Sequence, residues 1–385
     1  MRSQLVLAIA LWAGSALPAA AADPPEATLS VVYTFRGGTD GANPASGLTL
    51  SGDTLYGTTY IGGAGNGTVF GIDSKTGVET LLADLPNVPG EGNPETTPID
   101  IDRVLYGAAQ GGWQSKKKFG ILYKVAVASG KESTLHVFHG GSDASPPWSG
   151  PIAGPPGTLF GANDNFLFSF NPANKLETPI YSFSNAAKGS EPNGNIVYQS
   201  GLIYGTTAAG GTSHGGYGTI YSVDPNTGAE AVLYKFTDGS DGAYPIAGLI
   251  SAGGNFYGTT NAGGANNLGT MFEWDTTSSR FRTIYTFAMQ TGGHAREPGV
   301  LLYQGGFLYV VTTGWLNESY AEILKIKATT GVASVFYAFA SSAIQEPNAG
   351  LVFHDGAYYG TAELGGSANC PQGCGVVYKL VPPAR

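Results

Sequence analysis

Charge is scarce in this 385-residue chain: Asp, Glu, Lys and Arg make up only 12% of it, against about 25% in ordinary globular domains. The 28 acidic residues outnumber the 19 basic ones, for a net charge of −9. Without a basic surplus to neutralise phosphates, nucleic acid is excluded as the natural partner. Cysteine is almost missing, with only Cys370 and Cys374 in CPQGC. A zinc site would need a second ligand pair, and a redox pair would read CxxC beside a helix. A local Cys370–Cys374 loop disulfide is the expectation for an exported chain. Long apolar runs are confined to Leu5–Ala13, which follows Arg2 and precedes GSALPAAAA. That order is a charged start, an apolar stretch and a small-residue cleavage zone, so residues 1–22 read as a signal peptide cut before Asp23. A membrane anchor is the other reading, but the run is short for a span, and no Cys adjoins it as in a lipoprotein. The mature chain, 23–385, is expected to be a single secreted or periplasmic domain, monomeric and without a membrane span. Sustained 3.6-residue apolar periodicity is also lacking, so helix should be rare. No serine-hydrolase elbow, phosphate loop or HExxH occurs.

Glycine is abundant instead, at 59 residues, about twice the usual share of ~7%. Aromatics reach 11%, which argues against disorder. Together with threonine they point to short strands and tight turns. One phrase recurs: LYGTT at 55–59, LYGAA at 105–109, LFGAN at 159–163, IYGTT at 203–207, FYGTT at 256–260, a worn LYVVT at 308–312 and YYGTA at 358–362. Its aromatic positions, Tyr56, Tyr106, Phe160, Tyr204, Tyr257, Tyr309 and Tyr359, are spaced by 50, 54, 44, 53, 52 and 50 residues. Three landmarks keep step: a TVFGID-like segment, a YTF-like segment, and an opening proline at Pro44, Pro94, Pro147, Pro192, Pro245, Pro298 and Pro347.

Each unit reads as four strands, in the first copy near 47–50, 54–59, 68–73 and 79–85. Seven four-stranded units of this period predict an all-β, seven-bladed β-propeller with antiparallel blades. A flat solenoid is the alternative, and the chain ends decide between them. The seventh copy stops after its third strand, VVYKLV, while an orphan strand, TLSVVYTF at 28–35, stands at the N-terminus. Pairing that N-terminal strand into the last blade closes the ring. Tyr56 and its equivalents should bury a ring while the hydroxyl finds a partner. The glycine that follows, at 57, 107, 161, 205, 258 and 360, should leave room for a neighbouring blade. Val310 in the sixth copy predicts different packing there.

YTFRGGTDGANPASGL, LYGTT with its trailing IGG and GNGTVF, and DPNTG together resemble the GloVer-type tandem repeat of exported bacterial proteins, over about 31–381. The resemblance implies secretion with variable surface anchoring and no defined reaction. DSKTG also resembles quinoprotein propellers, but their docking Trp is missing from GIDSKTGVETLL, which disfavours a quinone.

Strand order puts the loops before each first strand and those between second and third strands on one face, the default ligand face at the channel mouth. Asn43, Asn93, Glu191, Glu297 and Glu346 precede opening prolines, with Tyr244 and Pro146 as exceptions; Asp40, Asp143 and Asp241 lie just upstream. These oxygens are ligand-binding candidates for a carbohydrate or cell-envelope component, or for Ca²⁺. Crowded carboxylates there would suit acid–base work. The architectural reading is that they cap turns and tie loops together. No other cofactor is expected. His139, His214 and His294 fall near the same face without metal-ligand spacing. Trp113, Trp148 and Trp315 are candidates for stacking on sugars or for plugging blade junctions. Lys116, Lys117 and Lys118 form a basic loop tip, and copy 3 lacks most of one loop, predicting a notch in the rim. The leading expectation is a non-enzymatic binding module, with no catalytic residue assigned. A propeller enzyme acting on carbohydrates or lactones is the alternative.

Overall fold

The computed structural model describes residues 27–383, apart from 64, 86–93, 111–119, 140–149, 164, 193, 213–214, 289–299, 313–320, 340–343 and 348. Seven four-stranded antiparallel sheets follow one another as blades. Blade 1 runs Thr49–Ser51, Thr54–Thr59, Thr68–Asp73 and Glu79–Asp84 from inner to outer strand. Blades 2 to 6 repeat this order, with second strands Val104–Gln110, Leu159–Ala162, Leu202–Thr207, Asn255–Thr259 and Phe307–Thr312. Blade 7 takes three strands from the C-terminus, and its outer strand is the N-terminal Thr28–Thr34, paired with Val376–Val381. The ring closes as the orphan strand predicts. The single short 3₁₀ turn at Gly38–Asp40 is the only helix among the described residues.

The core is divided among seven seams, one apolar cluster between each pair of adjacent blades. The recurrent phrase builds these seams, in a way that corrects one expectation. The space above Gly57 is not filled by a neighbouring blade. It is filled by Phe70, its cross-strand partner in the same blade, whose Cζ would lie 2.5 Å from an added Cβ. Gly258 and Phe272 repeat that spacing, and Gly107/Tyr123, Gly161/Phe168, Gly205/Tyr221 and Gly360/Tyr378 are paired alike. The ring lying over the glycine then meets the preceding blade. Phe35 packs on Phe70 at 5.0 Å, Phe183 on Tyr221 at 4.8 Å, Phe236 on Phe272 at 5.2 Å and Phe339 on Tyr378 at 5.3 Å. In blade 6 both partners change together: Val310 faces Leu324.

Every outer strand carries a β-bulge at the same register, at Val32, Leu82, Leu135, Ile180, Leu233, Ile284 and Phe336. The extra residue explains why two large side chains stand side by side before each YTF-like ending, where strict alternation would forbid it. The bulge carbonyl also docks the next blade. Val32 O and Ile180 O lie against Gly77 and Gly228, the left-handed glycines of the DSKTG and DPNTG hairpins, 2.9 and 2.8 Å from where a Cβ would stand.

The threonines of the phrase latch in two directions. Thr59 and Thr68 share a hydrogen bond of 2.8 Å across second and third strands, as do Thr207/Thr219 at 2.9 Å and Thr260/Thr270 at 3.0 Å. The preceding threonine reaches the next blade: Thr58 Oγ1 donates to Pro94 O at 3.0 Å and Thr206 Oγ1 to Pro245 O at 2.7 Å. Across the closure, Thr361 Oγ1 donates to Ser46 O at 2.8 Å. Thr206→Val keeps the shape but strands the buried Pro245 carbonyl. It should cost about 1–3 kcal/mol in urea denaturation; a neutral result would mean the latch contributes nothing.

Candidate functional site

The two loops of the rim face pair within each blade. Ala42 bridges Ile61, Ser190 bridges Ala209 and Ala243 bridges Ala262; in blade 7, Ile344–Gln345 pairs with Leu364–Gly365. That ribbon forces the residue before the opening proline into the left-handed region: Asn43 at φ 56°, Glu191 at 60°, Tyr244 at 57° and Glu346 at 53°. Their carbonyls accept from the residue that follows the phrase, Tyr60, Ala208, Asn261 and Glu363, at 2.8–3.1 Å. Each of these blades therefore offers two variable residues at the rim, held by backbone bonds that do not depend on their side chains.

The sequence candidates separate into two groups. Glu191 and Glu346 are exposed on the rim. Asn43 is half-buried and its Nδ2 donates to Glu363 O at 3.1 Å, tying blade 1 to blade 7. Asp40 and Asp241 turn into their own loops. Asp40 accepts from the Tyr33 hydroxyl at 2.5 Å and from Arg36 N at 2.7 Å. Asp241 accepts from Tyr234 Oη at 3.1 Å, Thr237 N at 2.9 Å, Thr237 Oγ1 at 2.6 Å and Gly239 N at 3.2 Å. Asn93, Asp143, Glu297, His214, His294, the three loop tryptophans and Lys116–Lys118 lie outside the described residues. Copy 3 connects its second and third strands by a tight turn, with Asn163 Oδ1 accepting from Phe166 N at 3.0 Å. Cys370 and Cys374 form the expected disulfide. It packs against Gly37 at the closing seam, and Cys374 O accepts from Asn43 N at 2.9 Å.

A second set of groups, not among the residues picked from the sequence, lies just after the phrase or the opening proline. Tyr60 ends the blade 1 phrase, Glu363 ends that of blade 7, and Glu95 follows Pro94 at the start of blade 2. Burial, and then the fields of Glu95 and Glu363, push the Tyr60 hydroxyl above its usual pKa. Glu95 keeps contact with solvent, yet burial pushes its carboxyl up as well. The Tyr60 phenol thus lies in the field of one carboxyl from each flanking blade. Among the described residues, no three His, Cys, Asp or Glu side chains gather as a metal site.

Blade 6 departs from the repeat once more. Glu322 stands opposite Thr312, where blades 1, 4 and 5 have their threonine pairs. Its carboxyl is buried with Oε2 unpartnered. Burial pushes its pKa up from 4.5 to about 7. Between those values the folded chain holds a proton that the unfolded chain has released, so this group's contribution to stability falls as pH rises from about 4.5 to about 7. Glu322→Gln should raise stability near pH 8 by roughly 1–3 kcal/mol and leave it unchanged near pH 4. A pH series of urea denaturations in which the two proteins run parallel would contradict this.

Seven blades, a closing strand from the far end of the chain and a rim of paired variable loops define a closed β-propeller. The profile of the Gloeobacter/Verrucomicrobia repeat matches residues 20–166 and 162–378, so the chain belongs to that repeat family. No curated sequence matches it. Among solved structures, a chain of the mitotic checkpoint complex is similar over 100% of both chains, with 11% identity and a TM-score of 0.55. An oligogalacturonate lyase in complex with manganese is similar over 94% of this chain and 92% of that one, with 11% identity and a TM-score of 0.50. At such identity the likeness is one of fold. No helix among the described residues is long and apolar enough to cross a membrane.

Proposed function

We propose that this protein is an exported, non-enzymatic binding module that holds a carbohydrate of the cell envelope on its rim face. The observation that carries the reading is the backbone ribbon of the rim, which holds Tyr60 in blade 1 and Glu363 in blade 7 in paired loops, where burial and then the nearby carboxyls of Glu95 and Glu363 raise the Tyr60 pKa. A phenol ring supplies a flat face for a sugar, and carboxylates accept its hydroxyls. The disulfide suits an oxidising compartment outside the cytoplasm. Glu95→Gln and Tyr60→Ala, titrated with saccharides by calorimetry, should each weaken binding about tenfold or more, a loss of about 1.4 kcal/mol, without altering the unfolding temperature. Binding by the unaltered protein should also weaken as pH falls through the raised pKa of Glu95, because a protonated carboxyl accepts less well. Full affinity in both variants would refute the reading.

One observation favours a second reading. A carboxyl whose pKa is raised by burial, as at Glu95, is suited to general acid catalysis. On that reading the protein turns over glycosides or lactones, and Glu95→Gln abolishes turnover; a panel without turnover leaves the binding module.

A further inference from the structure

Tyr244 occupies a position held by Asn43, Glu191 and Glu346 in the other described blades, and it shares their left-handed backbone, at φ 57°. Asn tolerates that region; a bulky aromatic residue is strained in it. Burial does not compensate, since 40% of Tyr244 is exposed. Its neighbour Tyr217, from the loop between second and third strands of blade 4, is 36% exposed. The two rings meet edge to face, with centroids 5.9 Å apart and planes at 70°. The pair is held from behind: Tyr244 N donates to Tyr217 O at 2.8 Å, Ile246 N and Asn261 N donate to Tyr244 O at 3.0 Å, and Tyr217 bridges Gly210. Tyr244 is thus strained, and both rings are exposed where the fold gains little from them; such strain gathers at ligand clamps.

We infer that Tyr217 and Tyr244 form a stacking subsite for a pyranose ring, and that the ligand is an oligosaccharide chain crossing the mouth. The inference rests on the carbohydrate reading above and extends it. The seam between blades 4 and 5 lies across the seven-membered ring from the seam between blades 7 and 1, where Tyr60 and Glu363 stand. One sugar cannot serve both sectors, whereas a chain can. A saccharide fits better than a peptide because each ring presents a phenol hydroxyl beside its flat face, and the opposite sector supplies the acceptors that sugar hydroxyls need.

The test uses the mature protein and soluble cello- and chito-oligosaccharides from dimer to hexamer. Affinity should rise with chain length in the unaltered protein. Tyr244→Asn, which suits the left-handed backbone, should not lower the unfolding temperature and should raise it if strain is relieved. It should weaken binding of the longest oligomer about tenfold while leaving the dimer's affinity unchanged. Tyr217→Ala should do the same to binding, and Tyr244→Phe, which keeps the flat face and loses only the hydroxyl, should weaken it less than Tyr244→Asn. If Tyr244→Asn destabilises the fold and binds the hexamer normally, the ring is structural and the inference is overturned. If Glu95→Gln weakens binding but length has no effect, the subsite fails while the carbohydrate reading stands. If no oligosaccharide binds, or a proline-rich peptide binds instead, both fail.

Discussion

Gly205→Val should destabilise the protein by about 3 kcal/mol or more, and adding Tyr221→Leu should recover most of that loss. A Cβ at Gly205 would stand 2.6 Å from Tyr221 Cζ, and Tyr221 cannot retreat because it is fully buried against Phe183. Overpacking of this kind has no cheap outlet in an interior packed to crystal density. Tyr221→Leu alone removes a large buried ring, a loss of about 3 kcal/mol. It also removes a buried hydroxyl that has no partner, which offsets about 1–3 kcal/mol. The double change recreates in blade 4 the Val310/Leu324 pair of blade 6, so the two costs should cancel in large part. Urea denaturation of the four proteins gives the coupling energy. A value near zero, with the two costs simply adding, would show that glycine and aromatic are not one packing unit.

Deleting Ala27–Phe35 should leave no cooperatively folded monomer, a loss exceeding about 5 kcal/mol. The deletion unpairs the edge of Val376–Val381, and it removes Phe35, which is fully buried among Leu48, Leu55, Phe70 and Cys374. Exposed edges of that kind invite aggregation. Phe35→Ala is the graded version and should cost about 3–5 kcal/mol. Grafting residues 27–35 after Arg385 should restore the fold, because the strand is needed at the seam and not at the N-terminus as such. Size-exclusion chromatography and thermal scans decide the matter. A truncated protein that stays monomeric and melts at the unaltered temperature would show that the seam is dispensable.

The ring, the blade count and the closing strand were legible because each rests on a pattern carried by backbone pairing: a period near 50 residues, short hairpins and one strand missing from the end. The role of Gly57 was not, because its partner Phe70 is fixed by strand register. Adjacent copies of the phrase say nothing of register. The bulges were visible only as a side effect, in paired residues such as Ile180 and Tyr181 that break alternation. Among site residues, the rim positions Glu191 and Glu346 could be placed on the correct face from strand order alone. Asp40 and Asp241 belong to the same loops in sequence, yet local hydrogen bonds turn their carboxylates inward, toward donors two to seven residues away. Glu95 and Tyr60 were not legible as a pair, because they lie in different blades and only the folded ring brings the Glu95 field to the Tyr60 hydroxyl. Tyr244 was legible as an exception to the pattern before the opening proline, but its strain and exposure are properties of the folded rim.

The closing strand also sets an order in time. Thr28 pairs with Val381, so the earliest of the described strands waits for the latest. Six blades can form from contacts within about fifty residues of sequence, whereas the seventh needs a contact spanning nearly the whole chain, the slowest kind to make. Until Val376–Val381 has been made, the outer strand of blade 7 has no partner and the ring stays open. Six blades can therefore stand folded with one seam still open, and the last strand to pair acts as the clasp that turns an open array into a ring.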